Sequence, residues 1–163
     1  MRKIIIALVL FSVICVGVTS CAPKSELLSY RSAPYTLNAL LELKATGDTH
    51  RITVTSDPEN QSLTLGFEES EHLSGITFTM RGGEMTARCA DQEYPADGFI
   101  YVKEVFELLN VDKGDFLSAE SSKAGQISVN VLKFKGERVL ILESKSSMPL
   151  SFESPFVKIS VTR

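Results

Sequence analysis

From Tyr35 to Lys44 every second side chain is apolar: Tyr35, Leu37, Ala39, Leu41 and Leu43 alternate with Thr36, Asn38, Leu40, Glu42 and Lys44. Successive side chains of a strand point to opposite faces, so a period of two fits a half-buried β-strand and fits no helix. One strand cannot bury its greasy face alone. The chain must lay further strands beside it and cover one shared face.

The same signature recurs downstream. Thr46-Gly47-Asp48 turns into a strand over 51–55, and Asp57-Pro58-Glu59-Asn60 turns into one marked by Leu63, Leu65 and Phe67. Residues 76–80 and 85–89 flank Arg81-Gly82-Gly83-Glu84. Gly-Gly accepts the positive φ angles of a tight turn, so these two segments are predicted to form a hairpin. One helix interrupts the meander: Asp97 is the expected cap, and Phe99, Val102, Val105, Phe106 and Leu109 recur at helical spacing before Asn110 and Gly114 end it. Its apolar face should press against the sheet. Strands resume at Ile127, Val129 and Val131, and the switch to Leu132 and Phe134 implies a bulge or a stretch covered on both sides. The continuous run over 138–143 fits a strand buried on both faces, and Leu150, Phe152, Val157, Ile159 and Val161 complete the set. The pattern amounts to about nine strands and one main helix, mainly β within an α+β class.

The N-terminus has a different character. Arg2 and Lys3 precede the uncharged run from Ile4 to Val18, a basic region followed by an apolar one, as in secretory signals. At about fifteen residues the run is shorter than the roughly 20 a spanning helix needs. Val18-Thr19-Ser20-Cys21 then resembles the lipobox of bacterial lipoproteins, which implies cleavage after Ser20 and acylation of Cys21. A plain signal peptide with an incidental cysteine is the alternative. Two or more acyl chains anchor stably where one does not, so a lipidated Cys21 would hold the protein on the extracytoplasmic side of a membrane. Ala22, in place of a retention aspartate, would permit export to an outer membrane if the host has one. The expected organisation is a signal over 1–20, a lipidated tether over 21–32 and a single domain over 33–163.

Removing the signal leaves 143 residues, enough for one domain with its own core. The net charge moves from −3 to −5, with 15 basic residues against 20 acidic, which argues against nucleic acid as a partner. With Cys15 removed and Cys21 acylated, Cys89 has no intramolecular partner. Its alternation with Met85 and Ala87 predicts a buried, inert thiol.

The order of these elements resembles the superfamily of lipoprotein carriers and receptors, the LolA/LolB-like proteins, over roughly residues 33–162. The residues that carry the likeness are the lipobox ahead of a long first strand, the stretch LTLGFEESEHLSGITFTMRGGEMT, and the closing stretch RVLILESKSSMPLSFESPFVKISV, in which a proline begins the penultimate strand. The resemblance implies a single strongly curved antiparallel sheet, an incomplete barrel, with the helix as a lid on its concave side. The Gram-negative carriers often show Trp and Arg at their cavity; this chain has no Trp, so that specific role is not carried over. HLSGITF also resembles Gram-positive envelope lipoproteins of the same plan, some of which are scaffolds.

Sites for chemistry are sparse. The sequence holds no Gly-x-Ser-x-Gly elbow, Ser-x-x-Lys, His-Glu-x-x-His or Gly-rich phosphate loop. Glu69 and His72 are three apart in Glu68-Glu69-Ser70-Glu71-His72, yet the segment between two strands is short, and a solvated acidic loop is the expected form. Lys133, Lys135 and Arg138 read as a solvated hairpin end. No enzyme, cofactor or metal is expected. The reading is a membrane-anchored envelope lipoprotein that binds a lipid or other apolar ligand in the concave face, through Leu37, Leu41, Leu63, Leu65, Phe78, Met80, Val102 and Phe106. The same residues would equally serve as a plain core beneath the helix. The competing function is an envelope scaffold that binds a protein partner or a second copy of itself.

Overall fold

The computed structural model describes residues 28–68, 70 and 72–162. Its strands are β1 (Tyr35–Leu43), β2 (Thr49–Asp57), β3 (Ser62–Phe67), β4 (Ile76–Arg81), β5 (Glu84–Cys89) and β6 (Gln92–Pro95), followed by helix α1 (Ile100–Leu109). Then come β7 (Phe116–Ala124), β8 (Ile127–Phe134), β9 (Arg138–Glu143), β10 (Pro149–Glu153) and β11 (Val157–Val161). All eleven join one antiparallel sheet in the order β6-β5-β4-β3-β2-β1-β11-β10-β9-β8-β7. The sheet does not close into a barrel: β6 and β7 are its two edges, and α1 lies on the chain segment that links them.

Register explains the core. Leu37, Val54, Leu65, Phe78 and Ala87 stand directly opposite one another across β1 to β5, and all are buried. Leu132, Leu140, Phe152, Ile159 and Leu41 make an equivalent row from β8 across to β1. Cross-strand neighbours on one face are close enough to pack, so each row is a continuous apolar band. On this concave face α1 adds Val102, Val105, Phe106, Leu108 and Leu109 to the same buried cluster. The opposite face of β1 presents Thr36, Asn38, Leu40 and Glu42 to solvent.

The predicted hairpin forms as β4–β5, with Gly82 at φ 58° and Gly83 at 91°; two consecutive positive φ angles are strained for any residue with a Cβ. Several expectations need correction. Asp97 does not cap α1: Phe99 occupies the N-cap without a side-chain hydrogen bond, and its ring packs on Phe78 at 4.9 Å. Packing outweighs capping there. Cys89 is exposed, because it is the last residue of β5, beside the Ala90–Asp91 turn where solvent reaches both faces. Strand β9 is not buried on both faces; Leu140 and Leu142 are buried while Val139 and Ile141 are only half-buried. The face switch in β8 involves no bulge against β9: Val129 is buried outside the main core, Leu132 and Phe134 within it. The register shifts lie in β7, between Phe116 and Ser118, and in β10, between Pro149 and Ser151.

The packed domain begins before residue 33. Leu28 and Tyr30 are buried in the core, Tyr30 with its ring 5.6 Å from Tyr35 and 6.5 Å from Phe152. Arg31 donates to the Val111 carbonyl at 2.8 Å and to the Asn110 side chain, pinning this segment to the end of α1.

Candidate functional site

Helix α1 leaves two hollows at opposite ends of strands β1–β5. The larger, about 690 Å³, lies between the C-terminal half of α1 and the end of the sheet formed by the start of β1 and the β2–β3 and β4–β5 turns. Its floor is apolar, built from Tyr35, Leu63, Met80, Phe106 and Leu109. Its rim carries Arg31, Lys103 and Arg138 together with Asp57, Glu107, Asp112 and Asp115. The alternation of β3 and β4 puts Leu63 opposite Met80, and the helical spacing of Lys103, Phe106 and Asn110 turns one side of α1 toward them.

Most rim carboxylates already have partners. Arg138 reaches from β9 to α1, with Nη2 2.9 Å from Glu107 Oε2 and Nε 3.8 Å from Glu104 Oε1. Lys135 Nζ lies 3.3 Å from Asp115 Oδ1. Asp57 accepts from the Asn60 side chain at 2.6 Å and from the Asn60 and Glu59 backbone N–H groups. These bonds, led by that of the Asn60 side chain, hold the Asp57 carboxyl below its ordinary range, and the Arg81 charge adds to them. Asp112 accepts from the Gly114 N–H at 2.6 Å. Burial raises the Tyr35 hydroxyl above the usual phenol range, opposed by a hydrogen bond with Ser56 and by the Arg31 charge.

The second hollow, about 260 Å³, lies at the other end of these strands. It is bounded by Leu41, Leu43, His50, Phe67 and Leu73 on the sheet side and by residues 98–102 at the start of α1. His50 meets Phe67 edge to face at 5.8 Å. Phe99 and Tyr101 are partly exposed at its margin, and Ile100 is 74% exposed.

The eight residues expected to line one cavity are thus divided three ways. Leu63, Met80 and Phe106 line the larger groove, Leu41 and Val102 the smaller hollow, and Leu37, Leu65 and Phe78 are sealed in the core. The groove recruits Tyr35, Leu109, Arg31 and Lys103 in addition. Helical spacing marks Leu109 and Lys103; Arg31 carries no such signal, because it falls in a segment that reads as linker. Cys21 and the signal over 1–20 lie outside the described residues, as does Glu69 of the Glu69/His72 pair. His72 is exposed in the β3–β4 loop, and no group of three metal-ligating side chains occurs among the described residues. Lys133 pairs with Glu120 at 2.9 Å, so each of the three cations at the predicted basic hairpin end has an acidic partner. No described helix is long and apolar enough to cross a membrane.

No protein-family model and no curated protein matches the sequence. Among solved structures, an uncharacterized conserved protein from Thermus thermophilus superposes with a TM-score of 0.54 at 12% identity, covering 85% of this chain and 82% of that one. The two share a fold. A LolA superfamily protein from Nitrosomonas europaea is also similar, with a TM-score of 0.39 at 11% identity over 81% of this chain and 72% of its own. That overlap is too loose to define a common fold.

Proposed function

We propose that the protein is a non-catalytic envelope lipoprotein, moored to the extracytoplasmic face of a bacterial membrane through Cys21, that holds a lipid or other apolar ligand in the groove beneath α1. One observation carries this reading: the helix does not seal the concave face, and the hollow it leaves has an apolar floor and a volume within the range of ligand clefts. Location adds support. Only residues 22–27 separate Cys21 from the packed Leu28, a span of at most about 25 Å. Arg31 lies on the groove's rim, so a lipid on Cys21 would hold the groove close to the bilayer.

Filling the groove tests the binding. Leu63 is half-buried on the floor, and Leu63→Trp inserts a large ring there with little disturbance of the sealed core. The affinity for the neutral dye N-phenyl-1-naphthylamine should fall at least tenfold while the circular dichroism spectrum is preserved. Undiminished dye binding refutes the assignment. The anchor is tested separately: a clickable fatty acid fed to the host should label the wild-type protein and leave Cys21→Ala unlabelled. Equal labelling of both removes Cys21 from the proposal.

The scaffold reading is favoured by a different feature. Edge strand β6 has four residues and ends in Pro95, which has no N–H to offer a further strand. Edge strand β7 runs for nine residues and, among the described strands, pairs only with β8. Its outer edge suits an added strand from a protein partner or a second copy. Native mass spectrometry of protein taken from its own host distinguishes the readings, since it reports co-purified lipid and oligomeric state together.

A further inference from the structure

We infer that the groove beneath α1 selects an amphiphile with an anionic head, taking the head on Arg31 and Lys103 and the alkyl tail on the floor of Tyr35, Leu63, Met80 and Phe106. The inference rests on the proposed groove and goes beyond it by naming the charge of the ligand.

The argument is a balance of charges at the mouth. Two of its four carboxylates are ion-paired, Glu107 with Arg138 and Asp115 with Lys135, while Asp57 spends both oxygens on neutral donors of Asn60 and Glu59. The fourth, Asp112, turns one oxygen onto the Gly114 N–H. The cations are differently placed. Arg31 donates only to neutral acceptors, the Val111 carbonyl and the Asn110 side-chain oxygen, so a guanidinium with five N–H donors keeps some of them unspent. Lys103 is exposed on the groove side of α1 and makes no ion pair among the described residues. Among the described residues the mouth therefore has two cations without an acidic partner, and its two carboxylates without a cationic one, Asp57 and Asp112, already accept from neutral N–H groups.

Their placement suits one head group rather than a dispersed surface charge. Lys103 on α1 and Asn110, its C-cap and the residue that Arg31 holds, are seven positions apart, roughly 10 Å along the helix axis. Both cations have long side chains that reach inward, with Phe106 on the floor between them. A carboxylate or phosphate above Phe106 would draw charge-assisted hydrogen bonds from either side, and its tail would run down onto Leu63 and Met80. A cationic head would meet Arg31 and Lys103 as like charges.

Three probes of equal tail length separate the possibilities: dodecanoate, dodecyl maltoside and dodecyltrimethylammonium, each titrated into the purified full chain by calorimetry below its micelle concentration at pH 7.5. Dodecanoate should bind roughly tenfold more tightly than the trimethylammonium, a preference that shrinks in high salt. Lys103→Gln should cut the affinity for dodecanoate several-fold and that for the maltoside much less; Arg31→Gln should do the same, with circular dichroism confirming that its hold on α1 was not essential to folding. Indifference to the head group, preference for the cation, or a dodecanoate preference untouched by Lys103→Gln overturns this inference while leaving an apolar-ligand groove intact. Failure of all three probes to bind overturns the groove reading itself.

Discussion

Phe78→Ala is expected to cost about 4 kcal/mol of folding stability, enough to leave a marginally stable domain substantially unfolded at 37 °C. Phe78 is completely buried, with Leu65 and Ala87 opposite it on the neighbouring strands. Its ring meets Phe67 edge to face at 6.0 Å and Phe99 at 4.9 Å, so one side chain joins the sheet to the start of α1. Truncation leaves a cavity that a β-sheet backbone on one side and a helix on the other cannot readily collapse, and it removes two aromatic contacts as well. Urea denaturation followed by circular dichroism measures the loss. A cost below about 1.5 kcal/mol would mean that this part of the core is far looser than its burial indicates.

Alkaline pH is expected to unfold the protein chiefly through Tyr30. Its ring lies in the core and its hydroxyl has no hydrogen-bond partner among the described residues; burial pushes the hydroxyl far above the ordinary phenol pKa. A raised folded-state pKa keeps its contribution intact below pH 10 and loses it as pH climbs from the unfolded value toward the folded one, because only the unfolded chain then releases the proton. The slope approaches about 1.4 kcal/mol per pH unit, roughly 2.3 kcal/mol in all between pH 10 and pH 12. Tyr30→Phe removes the titrating group along with an orphaned polar atom. The variant should be about 1 to 2 kcal/mol more stable at pH 7, and its advantage should widen above pH 10. Lysines titrate in the same range but are common to both proteins, so the difference between their urea midpoints isolates Tyr30. Parallel stability curves from pH 8 to pH 12 would contradict the assignment.

What the sequence discloses follows from which side chains are buried. The strands of the core rows have strict alternation, and their positions emerge within a residue or two: Leu37, Val54, Leu65, Ile159. β6 and β7 are invisible to that signal. Every residue of β6 is exposed, and β7 has two half-buried positions in nine, because an edge strand gains its place from backbone hydrogen bonds rather than from apolar contacts. The site is legible only in part for a related reason. Alternation separates the concave face from the convex one, but it does not separate residues under the helix from those beside it. Phe78 and Met80 share a face of β4, yet one is sealed in the core and the other lines the groove. Arg31 and Tyr30 give no such signal, since nothing in a short polar-flanked segment marks it as folding back onto the sheet.

One consequence of the strand order concerns the birth of the molecule. β1 and β11 are the first and last of the eleven strands, and they meet at the middle of the sheet, with Ala39 opposite Val161. The nascent chain therefore carries β1 with a bare flank until almost everything else has been synthesised, and closure of that seam spans more than a hundred residues, a slow step by contact-order reasoning. The last ribbon of residues is thus the keystone of the sheet.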